Sequence, residues 1–382
     1  MRVAIFVNNS MGELDWIVPY IKQTSLDIHF DIYLYHKRLW DFDIQNKTDN
    51  INIICCSNYK NTVFLDTFLD NLYRYLARKI PFDINYVSNF FDFLRYFSSL
   101  FIILKYQLKY KYDFIFRDYN LKQSILLYKL SRKSKKVVIY PHSTALMTNY
   151  GKKPQLNKIK HAIFLENTEY HDRFLPYYAK NMAVVGSPGL DVIRQKKITN
   201  KLNSILIITR NCDESFFGFD YDSSFELLRT ILTWAKRSNL EVDIKHHPRD
   251  NRVQEWRRVS ESFDNVKEIN GNLSENNNSY LYCLCYYTSA FIPSIVKKTL
   301  CIDVSPYRSI YFKNLPYHTW NNGPHHEFSE LKLLPIIEFD NFLMLNANQK
   351  KNIRDSQLNA LNNIYPVDSS KAIDNLLIKH SK

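Results

Sequence analysis

Glycine and proline are scarce in this 382-residue chain, at 7 and 13. That scarcity excludes long flexible linkers, collagen-like repeats and low-complexity tails. Six cysteines (Cys55, Cys56, Cys212, Cys283, Cys285 and Cys301) show neither CxxC pairs nor a disulfide framework. Buried thiols in a reducing compartment are expected, and a structural zinc site is not. No secretory signal opens the chain: Met1-Arg2-Val3-Ala4-Ile5-Phe6-Val7 reads as a buried strand, as in a cytoplasmic protein. In the helical segment around residue 100 the uncharged part, Tyr96 to Leu104, is far too short to span a bilayer. The first strand-to-helix loop, Asn8-Asn9-Ser10-Met11-Gly12-Glu13-Leu14-Asp15-Trp16, lacks a GxGxxG fingerprint and so should not grip a pyrophosphate in the dinucleotide manner. There is no Asp-rich metal motif and no recognised nucleic-acid module, so neither metal nor nucleic acid is expected as a partner.

What is present is a globular composition, 45% hydrophobic with 27 Tyr and 25 Phe, long enough for two domains of ordinary size. The net charge of +13 is concentrated: residues 71–160 carry 18 Lys and Arg against four Asp, a net +14, leaving the remainder near neutral. Aromatic and aliphatic residues are interleaved through that stretch, as in Phe90-Phe91-Asp92-Phe93-Leu94-Arg95-Tyr96-Phe97. A basic, aromatic-rich helical surface suits an anionic membrane face or an anionic polymer. The plainer alternative is a buried apolar helix ringed by solvated lysines.

Strands and helices alternate along the chain, which argues for mostly parallel sheets with covered faces. Strands are expected at Arg2–Val7, 30–35, 51–56, 113–117, 137–140 and 161–165, with helices at 14–22, 62–78, 87–110 and 121–130. A boundary falls at Ala183-Val184-Val185-Gly186-Ser187-Pro188-Gly189-Leu190-Asp191, a short strand broken by turn residues and followed by a polar helix to about Asn200. A second α/β series starts at Ser204 and closes in two helices near 349–363 and 372–379. The expected fold class is α/β with two Rossmann-like domains, 1–182 and 183–382, facing an interdomain cleft; the last helices could cross back to the first domain.

Two short strings carry chemistry. Lys245-His246-His247-Pro248-Arg249 closes an alternating run that reads as a strand, and Tyr287-Thr288-Ser289-Ala290-Phe291 stands where a strand turns into a helix. A basic imidazole at one strand end and a hydroxyl pair at another suit a nucleotide phosphate, and strand ends of one open sheet share a crevice. His-Pro also ends strands simply by removing a ladder donor, and Thr-Ser also caps helices. Arg210 ends the first strand of the second series and could add a cation.

The architecture and these strings resemble GT-B glycosyltransferases of bacterial surface-polysaccharide synthesis. The similar groups use cytidine-activated donors: bacterial sialyltransferases and polysialyltransferases, capsule-type Kdo transferases and CDP-glycerol glycerophosphotransferases. His247-Pro248 is similar to their HP motif, Thr288-Ser289 to their Ser/Thr motif, and Val185 to Asp191 to the linker entering the C-terminal domain, with Gly189 where an Arg is common. The resemblance implies transfer of a CMP-activated acidic sugar, such as a nonulosonate or Kdo, to a glycan or lipid-linked acceptor in capsule or lipopolysaccharide synthesis. It implies an inverting, metal-independent enzyme without cofactor, peripheral at the inner face of the cytoplasmic membrane through residues 71–160. The C-terminal domain would hold the nucleotide through Arg210, His247, Pro248, Arg249, Thr288 and Ser289. The N-terminal domain would supply the base, with Glu13 ahead of Asp15 and His142 third; His325-His326 ranks last as a closing element. Glu13 and Asp15 also suit a first helical turn through the dipole alone. The alternatives are a CDP-polyol phosphotransferase, a UDP-sugar transferase or epimerase on the same scaffold, and a non-catalytic protein binding anionic polysaccharide.

Overall fold

The computed structural model describes residues 1–7, 11–34, 49–55, 112–118, 136–141, 162–169, 182–210, 221–247, 250, 252–271, 273, 276–286, 288–304, 331–332, 334–335 and 339–381. The helices expected at 62–78, 87–110 and 121–130 lie outside these residues, as does most of the basic stretch. The chain forms two compact units. Unit 1 comprises Met1–Ser143, Thr148–Val185 and Asp368–Lys382; unit 2 comprises Thr144–Met147 and Gly186–Val367.

Unit 1 contains β1 (Arg2–Val7), α1 (Met11–Gln23), β2 (His29–Leu34), β3 (Ile51–Cys55), β4 (Phe114–Asp118), β5 (Lys136–Tyr140), β6 (Ile163–Glu166) and β7 (Met182–Val184). Among the described residues these strands form one parallel sheet in the order β3-β2-β1-β4-β5-β6-β7. The strands are short continuous apolar runs because both faces of a parallel sheet are covered. On one face Val3, Ile5 and Val7 of β1 meet Phe114 and Phe116 of β4 and the α1 side chains Leu14, Trp16, Ile17 and Tyr20. On the other, Asp31 accepts hydrogen bonds from Arg2 Nε (2.8 Å), Tyr112 Oη (2.7 Å) and Asn52 Nδ2 (3.2 Å).

Unit 2 contains α2 (Pro188–Gln195), β8 (Thr199–Thr209), α3 (Tyr221–Arg237), β9 (Glu241–His246), α4 (Val253–Ser260), β10 (Val266–Glu268), β11 (Asn278–Cys285), a 3₁₀ turn (Ser289–Phe291) leading into α5 (Ile292–Val296), β12 (Leu300–Asp303), β13 (Leu334–Pro335), α6 (Phe339–Met344) and α7 (Ala347–Ile364). Its parallel strands run β10-β9-β8-β11-β12-β13. This is the 3-2-1-4-5-6 order of a doubly wound dinucleotide fold. The core packs Ile205, Ile207, Val242, Ile244, Leu284 and Ile302 against Leu228, Ile231 and Leu232 of α3. Cys283, Cys285 and Cys301 are free and buried in this sheet.

Two local departures from the expected elements have simple causes. The helix after the boundary begins at Pro188 and ends at Gln195, because proline's fixed φ and missing N–H suit the first helical position. Residues Thr199–Lys201, expected as helix end and linker, instead pair with Asn278–Tyr280 of β11, with a register shift before Tyr282. The last helix, α8 (Ser369–Ser381), belongs to unit 1. Its Asp374 accepts from Tyr20 Oη (3.0 Å), Thr24 Oγ1 (2.6 Å), Ser25 N (2.9 Å) and Ser25 Oγ (2.9 Å) at the end of α1. Burial and the Asp374 carboxylate push the Tyr20 phenol well up.

Candidate functional site

In unit 2 the strand order reverses between β8 and β11, and the crevice outside the carboxyl ends at such a point is where open α/β sheets take ligands. The strings singled out above end β9 and follow β11, the two neighbours of β8. Thr209, last in β8, is fully buried. Its carbonyl accepts from His247 N (3.0 Å), and Tyr286 N donates to the carbonyl of Ile208 (3.0 Å), so the three strand ends are stitched together.

The Thr209 hydroxyl is the hub of a polar brace. It donates to Asp250 Oδ2 at 3.2 Å and lies 2.8 Å from His246 Nδ1. A hydroxyl has one proton, so donation to Asp250 obliges Nδ1–H of His246 to donate to Thr209. Asp250 N closes the turn onto the His247 carbonyl (2.8 Å), and Asp250 Oδ1 accepts from Arg252 N (2.9 Å) at the start of α4. His246 Nε2 lies 3.4 Å from Glu268 Oε1, and Glu268 takes both arms of Arg257 (2.7 and 2.8 Å). Burial lowers the His246 pKa against the pull of Glu268, and burial raises Asp250 against its bonds to Arg252 N and Thr209. The Arg257 bond holds Glu268 below the usual carboxylate range.

The sequence singled out His247; the structure puts His246 in the brace and leaves His247, the next residue, half-buried at the strand end. Adjacent strand residues face opposite sides of a sheet, so one histidine can be structural while the other meets a ligand. Arg210 is half-buried beside them, while Pro248 and Arg249 lie outside the described residues. Thr288 is 2% exposed and its Oγ1 accepts from Ala290 N at 3.2 Å, which caps the 3₁₀ turn. Accepting there leaves the hydroxyl proton as a donor. The Ser289 side chain is outside the described set. The helix behind this turn, Ile292–Val296, is short, so side-chain groups rather than a dipole must meet any phosphate.

In unit 1, α1 starts beside the carboxyl ends of β5 and β6. Trp16 Nε1 donates to Asn167 Oδ1 (2.8 Å), and its ring stacks on Tyr140 at 5.6 Å. Glu13 is fully buried in the first turn, whereas Asp15 is half-buried. Glu13 shares the face of Trp16, Ile17 and Tyr20, spaced i, i+3, i+4 and i+7, and that spacing was the available signal of its burial. His142 and His325-His326 lie outside the described residues. Of the brace residues, His246 stood in a singled-out string without a role of its own, and Thr209 and Asp250 were not singled out in the sequence. A hydroxyl ending one strand, a doubled histidine ending the next and an Asp two residues before a helix-starting position were their only signals.

No protein-family model matches the chain, and no curated protein matches it. Solved structures do. The chain is similar to UDP-GlcNAc 2-epimerase from Methanocaldococcus jannaschii, with 14% identity, a TM-score of 0.54, and 99% of this chain and 100% of the other covered. It is similar to MurG from Acinetobacter baumannii, with 13% identity, a TM-score of 0.51 and 99% of both chains covered. A UDP-glucosyltransferase from Polygonum tinctorium matches with 11% identity, a TM-score of 0.56, and 100% of this chain and 99% of the other covered. These likenesses establish the fold: two Rossmann-like α/β units of the GT-B class.

Proposed function

We propose that the chain is a glycosyltransferase that moves a CMP-activated acidic sugar, a nonulosonate or Kdo, to a glycan or lipid-linked acceptor in bacterial surface-glycan synthesis. The observation that carries the reading is the gathering of Thr209, Arg210, His247 and Thr288 at the carboxyl ends of β8, β9 and β11, around the strand-order reversal of unit 2. Transfer requires a departing nucleotide phosphate to be stabilised and an acceptor hydroxyl to lose its proton. Arg210, Arg249 and His247 supply positive charge or N–H donors, and the Thr288 and Ser289 hydroxyls supply short donors. The brace fixes the turn that carries His247, so the donors need not reorganise as charge develops.

Unit 1 carries the acceptor. There Asp15, half-buried, suits the role of base better than Glu13, which lies on the core-facing side of α1 with Trp16, Ile17 and Tyr20, since a base must touch the acceptor hydroxyl directly or through one water. His142 remains the third candidate. Among the described residues no helix is long and apolar enough to cross a membrane. The basic stretch 71–160 is the element by which the enzyme would rest on an anionic inner-membrane surface.

A second reading is favoured by the solved structures, which include UDP-GlcNAc 2-epimerases and UDP-sugar transferases. On that reading the donor is a UDP-sugar. A thermal-shift panel of CMP, CDP, UDP and GDP separates the two. Stabilisation by CMP above the others supports the proposal; a UDP preference moves the chain to the second reading, and turnover of UDP-sugar alone makes it an epimerase. No response to any nucleotide rejects both.

A further inference from the structure

Arg117 is the next-to-last residue of β4, paired in register with Phe6 of β1 on one side and Ile139 of β5 on the other. It is 1% exposed, and among the described residues its Nε, Nη1 and Nη2 all lack a hydrogen-bond partner. Its guanidinium carbon lies 5.5 Å from the centre of the Phe6 ring. A ring face offsets only a small part of what it costs to take an always-charged guanidinium out of water. Of the buried acids on the same sheet face, Asp31 is bonded instead to Arg2, Tyr112 and Asn52, and Glu166 stands two strands away at the end of β6. Among the described residues no carboxylate forms an ion pair with Arg117.

Its position adds a second, independent indication. The sheet order of unit 1 reverses between β1 and β4, so Arg117 stands at the carboxyl end of a switch-point strand, where open α/β sheets take ligands. The planar fork of a guanidinium fits a carboxylate or a phosphate through two parallel bonds. We propose that Arg117 anchors an oxyanion subsite in unit 1 that takes a carboxylate or phosphate group of the acceptor. The acceptor's identity rests on the transferase reading above; the anion subsite itself does not. The acceptor is therefore acidic, either as a uronate-type sugar or through a phosphate linkage.

Thermal unfolding of the full chain, at matched ionic strength, with glucuronate, glycerol 3-phosphate or neutral glucose tests this. Wild type should show a saturable rise in Tm with at least one of the two anions and none with glucose. A response to glucuronate alone assigns the group to an acidic sugar, and a response to glycerol 3-phosphate alone to a phosphate linkage. Without anion, Arg117→Met should unfold about 2–4 °C above wild type, because an uncompensated buried charge gives way to an apolar chain of similar length. It should also lose the anion response, while Arg117→Lys keeps part of it. An Arg117→Met protein that is less stable, fails to fold or keeps the full anion response overturns the proposal. So does a wild type indifferent to both anions. CMP stabilisation should be equal in wild type and Arg117→Met; its absence from both would defeat the CMP-sugar reading and leave the anion subsite standing.

Discussion

Replacing Thr209 by Val keeps the shape of a fully buried side chain and removes one hydroxyl. That hydroxyl joins His246 Nδ1 at 2.8 Å and Asp250 Oδ2 at 3.2 Å, so two bonds are lost together. A bond to a charged group contributes about 1.5–3 kcal/mol and a neutral one about 0.5–1.5 kcal/mol. Both partners are half-buried, so water recovers part of this, and the net loss should be about 2 kcal/mol. For a domain the size of unit 2, Gly186–Val367, that corresponds to a fall of about 4–8 °C in Tm. Thr209→Ser, which keeps the hydroxyl, should recover most of it. The same brace sets a pH dependence. Burial lowers the folded pKa of His246 below its unfolded 6.5, so its contribution is present above pH 6.5 and is lost as pH falls through the lower folded value. The opposite shift of Asp250, upward from 3.8, acts in the other sense. Thermal melts of wild type, Thr209→Val and His246→Gln between pH 5 and about 7.5 check both effects. Equal Tm values for Thr209→Val and wild type, or an acid sensitivity unchanged in His246→Gln, would refute the reasoning.

Three further outcomes are expected. A folded His247→Ala protein should lose about two to three orders of magnitude in turnover, as when one oxyanion donor is removed, and wild-type rates would take the HP motif out of the site. Asp15→Asn should cut transfer by about 10²–10⁴-fold with CMP affinity little changed, while Glu13→Gln should act mainly on stability; the reverse pattern in steady-state kinetics restores Glu13 as base. Asp374→Ala removes the acceptor of four bonds to Tyr20, Thr24 and Ser25, in and just after α1, and should destabilise unit 1 by about 3 kcal/mol or more, as read by urea unfolding.

The sheet strands other than β13 were legible because parallel strands covered on both faces are written as unbroken apolar runs, such as Ile205–Ile208 and Leu300–Val304. The polar start of β8 was not, since Thr199–Lys201 are held by backbone pairing to β11 and carry no hydrophobic signal. The HP and Thr-Ser strings were legible as strand ends. Which histidine is structural was not, because that depends on Thr209 and Asp250, 37 residues back and four residues on from His246. The burial of Glu13 was written in its helical spacing, but its acidity favoured a functional reading. Arg117 read as one more basic residue in a basic stretch; only its register beside Phe6 and its lack of a hydrogen-bond partner among the described residues mark it.

Hydrogen–deuterium exchange of the full chain, with and without saturating CMP, tests the central claim most directly. Slower exchange should be confined to the ends of β8, β9 and β11, at 209–210, 246–250 and 286–291, with β1–β7 unchanged. Protection confined to unit 1, or no protection anywhere, would contradict the assignment of unit 2 as the CMP-sugar site.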